Sequence, residues 1–362
     1  MTRIVRKGTI SLSFLLLLTL GLAGIVASGG GDGCADCDGG SDLLTETEIP
    51  PVATACDATT ALLSGPGQDG VVTFKSVTPD RTRALMDSCN SQPEATVTGT
   101  LYLPSGATGE LPAMVVGHGS RGTGNKYVEW AEFLNERGVA AFVIDSFTPR
   151  GVADGQTVPA IVEIADAMFA LAVLGQLPEV DSNRIGIMEF GSGGGITTSF
   201  HEIKAAVNTG SADFAVHIVF YANCNVRQMS ANISSAPILM LHGEADDWNS
   251  ASACVDFAAQ LDDAGADVSV VTFPGAGHGF DGGGAPTYLP TTRTNVDCAG
   301  EFRLDTGILR NFETDATYAS RDEYRAYLDS CRGQGATVGG DPAARESARE
   351  EVDRLLTEVF GS

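Results

Sequence analysis

The chain has 362 residues, 43% of them hydrophobic, which is enough for one large α/β domain with extensions or for two small domains. Its 46 acidic residues outnumber its 22 basic residues, and the formal net charge at pH 7 is −24. This balance argues against binding to nucleic acid and against docking on an anionic membrane surface, because both carry negative charge themselves.

The first 28 residues have the features of an export signal. Three basic residues lie within the first seven, an apolar stretch follows over 13–25, and Val26-Ala27-Ser28 provides small residues for cleavage. We therefore predict a signal peptide over 1–28 and an exported protein, periplasmic or extracellular; a retained membrane anchor is the alternative. Cys34 is not preceded by the aliphatic residue of a lipobox, so lipid attachment is the less favoured option.

Eight cysteines in an exported chain suggest disulfides rather than metal ligands. Cys34-x-x-Cys37 has no second cysteine pair or histidine nearby, so we expect a small tail loop or a mobile segment there rather than a metal site. Pairing the other cysteines by neighbouring order gives a hypothesis for the disulfides: Cys56–Cys89, Cys224–Cys254 and Cys298–Cys331.

Residues 29–50 are rich in Gly and Asp and poor in large apolar side chains, which predicts a disordered acidic tether. The rest, 51–362, is expected to be one domain. It starts with two segments whose β-branched or alternating residues predict strands, at 71–77 and 96–103, and we expect these strands to pair antiparallel.

From residue 111 onwards, short apolar runs alternate with segments of helical spacing. Repeated β–α units with continuously apolar strands predict an α/β fold, with a mostly parallel central sheet and helices on both faces. The predicted strands are 111–117, 138–144, 185–190, 214–221, 237–242 and 268–273, and the predicted helices are 126–136, 159–174 and 250–264.

The pattern changes after residue 280. Residues 281–340 are rich in Gly, Thr, Asp and Arg and contain a cysteine pair, which predicts an irregular insertion or a lid. Residues 341–360 begin with Asp341-Pro342 and then keep Ala, Val and Leu at helical spacing, which predicts a C-terminal helix packed back on the domain.

Three residues with the chemistry of a catalytic triad each follow a predicted strand. They are Ser192, Asp246 and His278, and the order Ser…Asp…His is that of α/β hydrolases. A serine hydroxyl is a poor nucleophile unless an imidazole takes its proton, and a carboxylate must orient that imidazole. Because ligands bind at the carboxyl ends of the strands in such sheets, the three side chains are expected to meet there.

The same chemistry needs backbone N–H groups that stabilise the oxyanion formed during attack. The residue after the nucleophile, Gly193, is one expected donor. The glycine-rich turn that follows strand 111–117 supplies the others, Gly119 and Ser120.

Residues from about 71 to 280, with the C-terminal helix, resemble the dienelactone hydrolase family of α/β hydrolases, and in particular its exported branch with extra cysteines. The resemblance implies Asp246 as triad acid, His278 as triad base, and hydrolysis of a small carboxylic ester or lactone through an acyl-enzyme, without metal or organic cofactor. The matching motifs are His118-Gly-Ser-Arg-Gly122, Asp145-Ser-Phe-Thr-Pro-Arg-Gly151, Gly243-Glu-Ala-Asp-Asp-Trp248 and Pro274-Gly-Ala-Gly-His-Gly-Phe-Asp281.

The sequence departs from the family at the nucleophile. The family pattern Gly-[Trp/Phe]-Ser-x-Gly-Gly, aligned without a gap, puts Glu189 on the first Gly and Gly191 on the nucleophile. A shift of one residue restores Ser-x-Gly-Gly at 192–195, so we predict Ser192 as nucleophile. The alternative is a catalytically degenerate binding protein. The serine route requires Ser192 Oγ within hydrogen-bond reach of His278 Nε2.

Two other charged residues lie in these motifs. Arg150 is expected either to hold a substrate carboxylate with two hydrogen bonds or to tie its own loop to Asp145. Glu189 is expected to be either a buried carboxylate with a raised pKa or a solvent-facing group. The predicted partner is a small acyl substrate. An acyl transferase would use the same triad with another acceptor, and the sequence does not separate it from a hydrolase.

Overall fold

The computed structural model of the protein describes residues 2–6, 55–67, 70–153, 155 and 158–361. The predicted tether over 29–50 and most of the predicted signal peptide lie outside these residues; residues 2–6 of the predicted leader form a strand. No helix in the described part of the chain is both long and apolar enough to cross a membrane.

The strands, in chain order, are β1 (Thr2–Arg6), β2 (Cys56–Asp57), β3 (Leu62–Ser64), β4 (Val71–Val77), β5 (Glu94–Tyr102), β6 (Leu111–Val116), β7 (Ala140–Asp145), β8 (Val180–Phe190), β9 (Val207–Asn208), β10 (Phe214–Phe220), β11 (Val226–Met229), β12 (Ile238–Gly243), β13 (Val268–Phe273), β14 (Thr287–Thr294), β15 (Gly300–Arg303), β16 (Leu309–Asn311), β17 (Thr317–Tyr318) and β18 (Gly333–Val338). The α-helices are α1 (Thr82–Ser88), α2 (Asn125–Asn135), α3 (Ile161–Leu174), α4 (Gly194–Thr197), α5 (His201–Ala206), α6 (Ala251–Asp263), α7 (Arg321–Cys331) and α8 (Pro342–Phe360).

A ten-stranded sheet forms the centre of the molecule, in the order β1-β13-β12-β10-β8-β6-β7-β5-β4-β3. The strands from β13 to β7 run parallel to one another. Strands β5, β4 and β3 at one edge and β1 at the other pair antiparallel. The mostly parallel α/β architecture predicted from the apolar runs is confirmed, and so is the antiparallel pairing of the first two predicted strands.

Helices cover both faces of this sheet because its parallel strands are apolar on both faces. Successive residues of β6 belong alternately to two separate buried clusters, with Ala113 and Val115 in one and Met114 and Val116 in the other. The first cluster includes residues of α3 and α6, and the second includes residues of α2 and α8. Helix α8 begins where the sequence predicts, with the Asp341 side chain accepting hydrogen bonds from the first-turn N–H groups.

The prediction of an irregular segment over 281–340 is wrong. Strand β14 pairs with β18, β15 to β17 join β11 in a four-stranded sheet, and α7 packs beside them. The strands escaped detection because they are short and largely exposed, so they lack an apolar run; β14 has two buried residues among eight. A small buried cluster that includes Tyr324 and Leu328, and the buried ion pair between Arg227 and Glu301, hold this region together.

Three disulfides join Cys56 to Cys89, Cys224 to Cys254, and Cys298 to Cys331. These are the pairs expected from neighbouring order along the chain. The first ties down the N-terminal section, the second links the loop after β10 to α6, and the third anchors α7 to the segment before β15. The remaining cysteines, Cys34 and Cys37, lie outside the described residues.

Candidate active site

A cavity of about 750 Å³ opens where the loops after the parallel strands meet. Its wall includes the glycine-rich turn after β6, the turn after β8, the loop after β12 and the loop after β13. Of the predicted site residues, Gly119, Ser120, Ser192 and His278 line it. The carboxyl edge of the sheet is therefore where the chain concentrates its chemistry, as expected for an open α/β fold.

The predicted acid and base are in direct contact. His278 Nδ1 lies 2.9 Å from Asp246 Oδ2, and the backbone N–H groups of Trp248 and Asn249 donate to Asp246 Oδ1 at 2.9 Å each. Burial tends to raise the pKa of the Asp246 carboxyl, but the pKa is lowered because His278 and His242 lie beside it and hydrogen bond to it. Asp246 is therefore an ionised carboxylate that holds the imidazole of His278 in place.

The neighbouring carboxylate is used elsewhere. Asp247 accepts hydrogen bonds from the backbone N–H and the hydroxyl of Thr337, at 2.7 and 3.0 Å, so it ties β18 to the loop after β12. The His278 ring packs between Trp248 and Tyr221, with ring centroids 4.6 and 4.5 Å away. The ring of the predicted base is thus fixed by a carboxylate and by two aromatic neighbours.

The turn after β8 has its apex at a glycine. Gly191 follows the last residue of the strand with φ +94°, and Gly193 has φ +79° immediately before α4. A left-handed residue directly after the strand is the strained position that a nucleophile elbow gives to its nucleophile. A Cβ built on Gly191 would meet no atom within 4 Å, so a side chain at this apex would extend into open space.

Ser192 faces a different partner from the one predicted. Its hydroxyl donates to Glu189 Oε1 at 2.5 Å, and its Oγ accepts from the Gly194 N–H at 3.1 Å. Among the residues that the structure describes, no hydrogen bond joins Ser192 Oγ to His278. The structure therefore brings the predicted acid to the predicted base but does not bring the predicted nucleophile to either of them.

Glu189 explains the position of that serine. Besides the hydroxyl, its two oxygens accept from the backbone N–H groups of Ser192 and Gly193, at 3.2 and 3.1 Å. The side chain is buried, and burial raises the pKa of the Glu189 carboxyl although these hydrogen bonds oppose the shift. Of the two alternatives for Glu189, the structure has the buried carboxyl with a raised pKa, which caps the start of α4 rather than facing solvent.

The predicted oxyanion donors are mostly engaged. The Gly193 N–H donates to Glu189, and the Gly119 N–H donates to the Tyr127 hydroxyl at 2.7 Å. Ser120 lines the cavity, and its N–H has no hydrogen-bond partner among the described residues. One of the three predicted donors is therefore free to face a substrate oxygen.

His118 orients the glycine-rich turn. Its Nε2 accepts from the Ser146 N–H at 3.0 Å, and its Nδ1 lies 3.0 Å from the Gly119 carbonyl oxygen. Burial lowers the pKa of His118, so the ring is neutral, with its proton on Nδ1. His118 is thus committed to the loop by both ring nitrogens.

Sequence reasoning missed Glu163, which lines the cavity from α3. It is the one residue among the 14 of this helix that is not fully buried. Burial, together with the nearby charges of Glu189 and Asp166, raises the pKa of Glu163 well above 4.5. The signal in the sequence was a glutamate on the otherwise apolar turn that precedes Asp166.

Arg150 is not in the cavity, so the expectation that it binds a substrate carboxylate is wrong. Its guanidinium forms two hydrogen bonds to Asp166, at 2.7 and 2.8 Å, and also donates to the carbonyl oxygens of Ser146 and Val77. Its other expected partner, Asp145, accepts backbone N–H groups of its own loop instead. The physical reason is that the carboxylate of Asp166, wholly buried on α3, requires a buried cation.

Residues 97–295 match the family model described as the dienelactone hydrolase family, which is more than half of the chain. The chain belongs to the dienelactone hydrolase family. No curated protein matches the sequence of this family member at a significant level. The matched region contains most of β5, all of β6 to β14, the turn after β8 and the Asp246–His278 pair.

Solved structures of similar fold include esterases. A dienelactone hydrolase-like promiscuous phosphotriesterase from metagenomic libraries is 16% identical, with 80% of this chain and 99% of that chain covered and a TM-score of 0.49. Esterase 2 of Thermogutta terrifontis phosphorylated by paraoxon is 17% identical, with 81% and 96% covered and a TM-score of 0.46. Est1E from Butyrivibrio proteoclasticus is 16% identical, with 51% and 86% covered and a TM-score of 0.38.

Proposed function

We propose that this member of the dienelactone hydrolase family hydrolyses a small carboxylic ester or lactone, with water activated directly by His278 and with Asp246 orienting that histidine. The observation that supports the proposal is the Asp246–His278 contact of 2.9 Å at the cavity wall, together with a serine hydroxyl that is hydrogen bonded to Glu189 instead. An imidazole in such a pair acts as a general base toward water as well as toward a serine hydroxyl.

Water is the only co-reactant in the proposed hydrolysis. A water molecule loses a proton to His278 Nε2 while its oxygen bonds to the carbonyl carbon, and the carbonyl oxygen becomes an oxyanion. The oxyanion collapses, the bond from carbon to the leaving alcohol oxygen breaks, and that oxygen takes the proton back from His278. The products are a carboxylic acid and an alcohol, and no acyl-enzyme forms.

The rival within the same reaction is the serine route predicted from the sequence. It requires the Ser192 hydroxyl to leave Glu189 and reach His278, which breaks a hydrogen bond of 2.5 Å to a buried carboxyl. It also needs the N–H of Gly193 as oxyanion donor, and that group donates to Glu189 at 3.1 Å. Each of these rearrangements leaves polar atoms of Glu189 unsatisfied in a buried site, which is costly.

Turnover of p-nitrophenyl acetate and butyrate by the wild type, His278→Ala and Ser192→Ala separates the routes. We expect His278→Ala to lose about 100-fold or more in kcat/KM, as removal of a general base does. Ser192→Ala is expected to stay within about threefold of the wild type. Equal large losses in both variants would support the serine route and contradict direct attack by water.

A second candidate function is a binding protein that keeps the cavity without hydrolysis. The observation that favours it is the glycine at the elbow apex, with φ +94° and no side chain in the space beside it. The binder predicts that wild type and His278→Ala release p-nitrophenol at the same rate as buffer. It also predicts that non-hydrolysable amide analogues of short acyl esters raise the melting temperature of the wild type.

We also propose that the protein acts outside the cytosol, after removal of a leader over 1–28. The three disulfides support export, because such bonds persist mainly in oxidising compartments. Expression in a bacterial host followed by N-terminal sequencing of the periplasmic or secreted protein tests this. The expected mature chain begins just after Ser28, and a cytosolic protein that keeps Met1 and free thiols would contradict it.

A further inference from the structure

The oxyanion of any ester hydrolysis in this cavity needs a source of positive charge. Two of the three predicted N–H donors are already taken, by Tyr127 at Gly119 and by Glu189 at Gly193. The Ser192 N–H, which follows the glycine at the apex, also donates to Glu189, at 3.2 Å. The backbone alone therefore offers little stabilisation of a developing negative charge. Electrostatic stabilisation of that charge is usually the largest single contribution to catalysis.

A lysine ammonium lies in the same cavity. Lys126, on the first turn of α2, lines the cavity wall, and its Nζ donates to the Tyr221 hydroxyl at 2.6 Å. The ammonium also lies over the ring faces of Phe190 and Tyr127, 4.4 and 4.8 Å from their centroids. The electron-rich ring faces attract the cation and keep the long side chain in one place.

Two aromatic neighbours of Lys126 adjoin the apex and the base. Phe190 directly precedes the apex residue Gly191, and the Tyr221 ring packs 4.5 Å from the His278 ring. Tyr221 itself has φ +40°, a left-handed conformation that is costly for a residue with a Cβ. Strain of this kind is retained where the surrounding structure requires it, commonly at functional sites.

Lys126 lies beside the carboxylate of Asp281, but this contact does not use all the N–H donors of the lysine. Asp281 is buried and lies 3.6 Å from Lys126 Nζ, so the lysine balances its charge. The hydrogen bonds to Asp281 come from elsewhere, from the Tyr221 hydroxyl at 2.8 Å and from Trp130 Nε1 at 2.9 Å. An ammonium has three N–H donors. Among the described residues, one of them goes to Tyr221, which leaves two for a ligand in the cavity.

We propose that Lys126 stabilises the oxyanion and the carboxylate product in this cavity, in place of the backbone donors that Glu189 and Tyr127 occupy. Its role in turnover rests on the hydrolysis proposed above. Its affinity for a charged ligand oxygen does not, because a carboxylate binds to an ammonium whether or not the protein makes that carboxylate. Lys126 touches the reacting oxygen in this account and is therefore a catalytic residue.

The kinetic test compares Lys126→Met with Lys75→Met, which removes an exposed lysine on β4 outside the cavity. We expect Lys126→Met to lower kcat for p-nitrophenyl butyrate about 100-fold with KM within about threefold, as the loss of one oxyanion donor does. Lys75→Met is expected to match the wild type. Because Lys126→Met leaves Asp281 buried without its cation, the double variant Lys126→Met/Asp281→Asn is measured as well, and the same loss is expected.

The binding test does not require turnover. Isothermal titration with sodium butyrate and with butyramide, its neutral analogue, should show about tenfold tighter binding of butyrate to the wild type. Both Lys126 variants should lose that preference. If the wild type releases no p-nitrophenol yet shows this preference through Lys126, the hydrolysis proposal fails and the role of Lys126 as an anion-binding residue stands. Wild-type kcat in Lys126→Met, or equal binding of both ligands to the wild type, would overturn the proposal.

Discussion

The two sides of the cavity differ in where their polar groups point. On the base side, Asp246 accepts hydrogen bonds from two backbone N–H groups and from His278, and these contacts hold the imidazole of His278 at the cavity wall. On the elbow side, the hydroxyl of Ser192 and the N–H groups of Ser192 and Gly193 all point away from the cavity to Glu189. In the proposed mechanism the first side transfers the proton, whereas the second side provides hydrogen bonds to a buried acid.

The buried Glu189 determines which groups the turn after β8 hydrogen bonds to. A carboxyl buried at position 189 must find hydrogen-bond donors, and the nearest are those that an elbow otherwise directs at the substrate. The neighbouring glycine accommodates the left-handed apex without a side chain. Glu189, Gly191 and Ser192 thus form a consistent set, and His278, the proposed base, forms no hydrogen bond to a serine among the described residues.

The greatest loss of activity is expected when the contact between Asp246 and His278 is removed. Asp246→Asn should lower kcat/KM for p-nitrophenyl butyrate by about 100- to 10,000-fold, because a neutral amide neither fixes the tautomer of His278 nor stabilises its protonated form. Asp247→Asn is the matched control, since that carboxylate bonds to Thr337 and not to the histidine. Activity of Asp246→Asn within about tenfold of wild type would show that the pair does not transfer the proton.

A serine at the apex position, residue 191, should allow the elbow to form an acyl-enzyme. Gly191→Ser puts a hydroxyl into open space at φ +94°, at a cost of about 1–3 kcal/mol in stability for the left-handed backbone. We expect stopped-flow traces with p-nitrophenyl acetate to gain a burst of about one p-nitrophenol per protein molecule, the kinetic sign of an acyl-enzyme. Gly193→Ser, at φ +79° and facing Ala222, is the control and should show no burst. A burst in neither variant would argue against Gly191 as the vacated position.

Stability is expected to depend on the disulfide that links the two sides. The Cys224–Cys254 bond joins the loop after β10, beside the elbow, to α6, which follows the base loop. The double variant Cys224→Ala/Cys254→Ala should lose about 3–4 kcal/mol of unfolding free energy for a closed loop of about 30 residues. Urea unfolding of this variant and of Cys298→Ala/Cys331→Ala measures it. An unfolding free energy of Cys224→Ala/Cys254→Ala equal to that of the wild type would contradict the prediction.

A smaller effect is expected on the pH dependence of stability, through the buried carboxyl of Glu163. The pKa of Glu163 is raised well above 4.5 in the folded protein, so its contribution to stability is complete below that pH and is lost as the pH rises through the raised pKa. Glu163→Gln removes this loss, so its stability relative to wild type should increase between pH 4.5 and pH 8. Exposed Glu110→Gln is the control for urea unfolding at each pH. A parallel pH dependence in Glu163→Gln and wild type would contradict the prediction.

The sequence predicts the parts of the molecule that depend on local pattern. Continuous apolar runs gave the parallel strands, and the order of strand-end residues placed Asp246 beside His278. The contacts of Arg150 and Ser192 were beyond such reasoning, because each depends on a buried carboxyl from another element, Asp166 on α3 and Glu189 on β8. The short strands of 281–340 were missed since their stability comes from distant partners rather than from their own hydrophobicity.

In the proposed mechanism the hydroxyl of Ser192 stays hydrogen bonded to Glu189 and does not attack the substrate. Intact mass spectrometry of the wild-type protein after incubation with a fluorophosphonate tests it most directly, because this reagent modifies a serine that an adjacent histidine activates. We expect an unmodified mass for protein that still turns over p-nitrophenyl butyrate. A stoichiometric adduct mapped to Ser192 would contradict it.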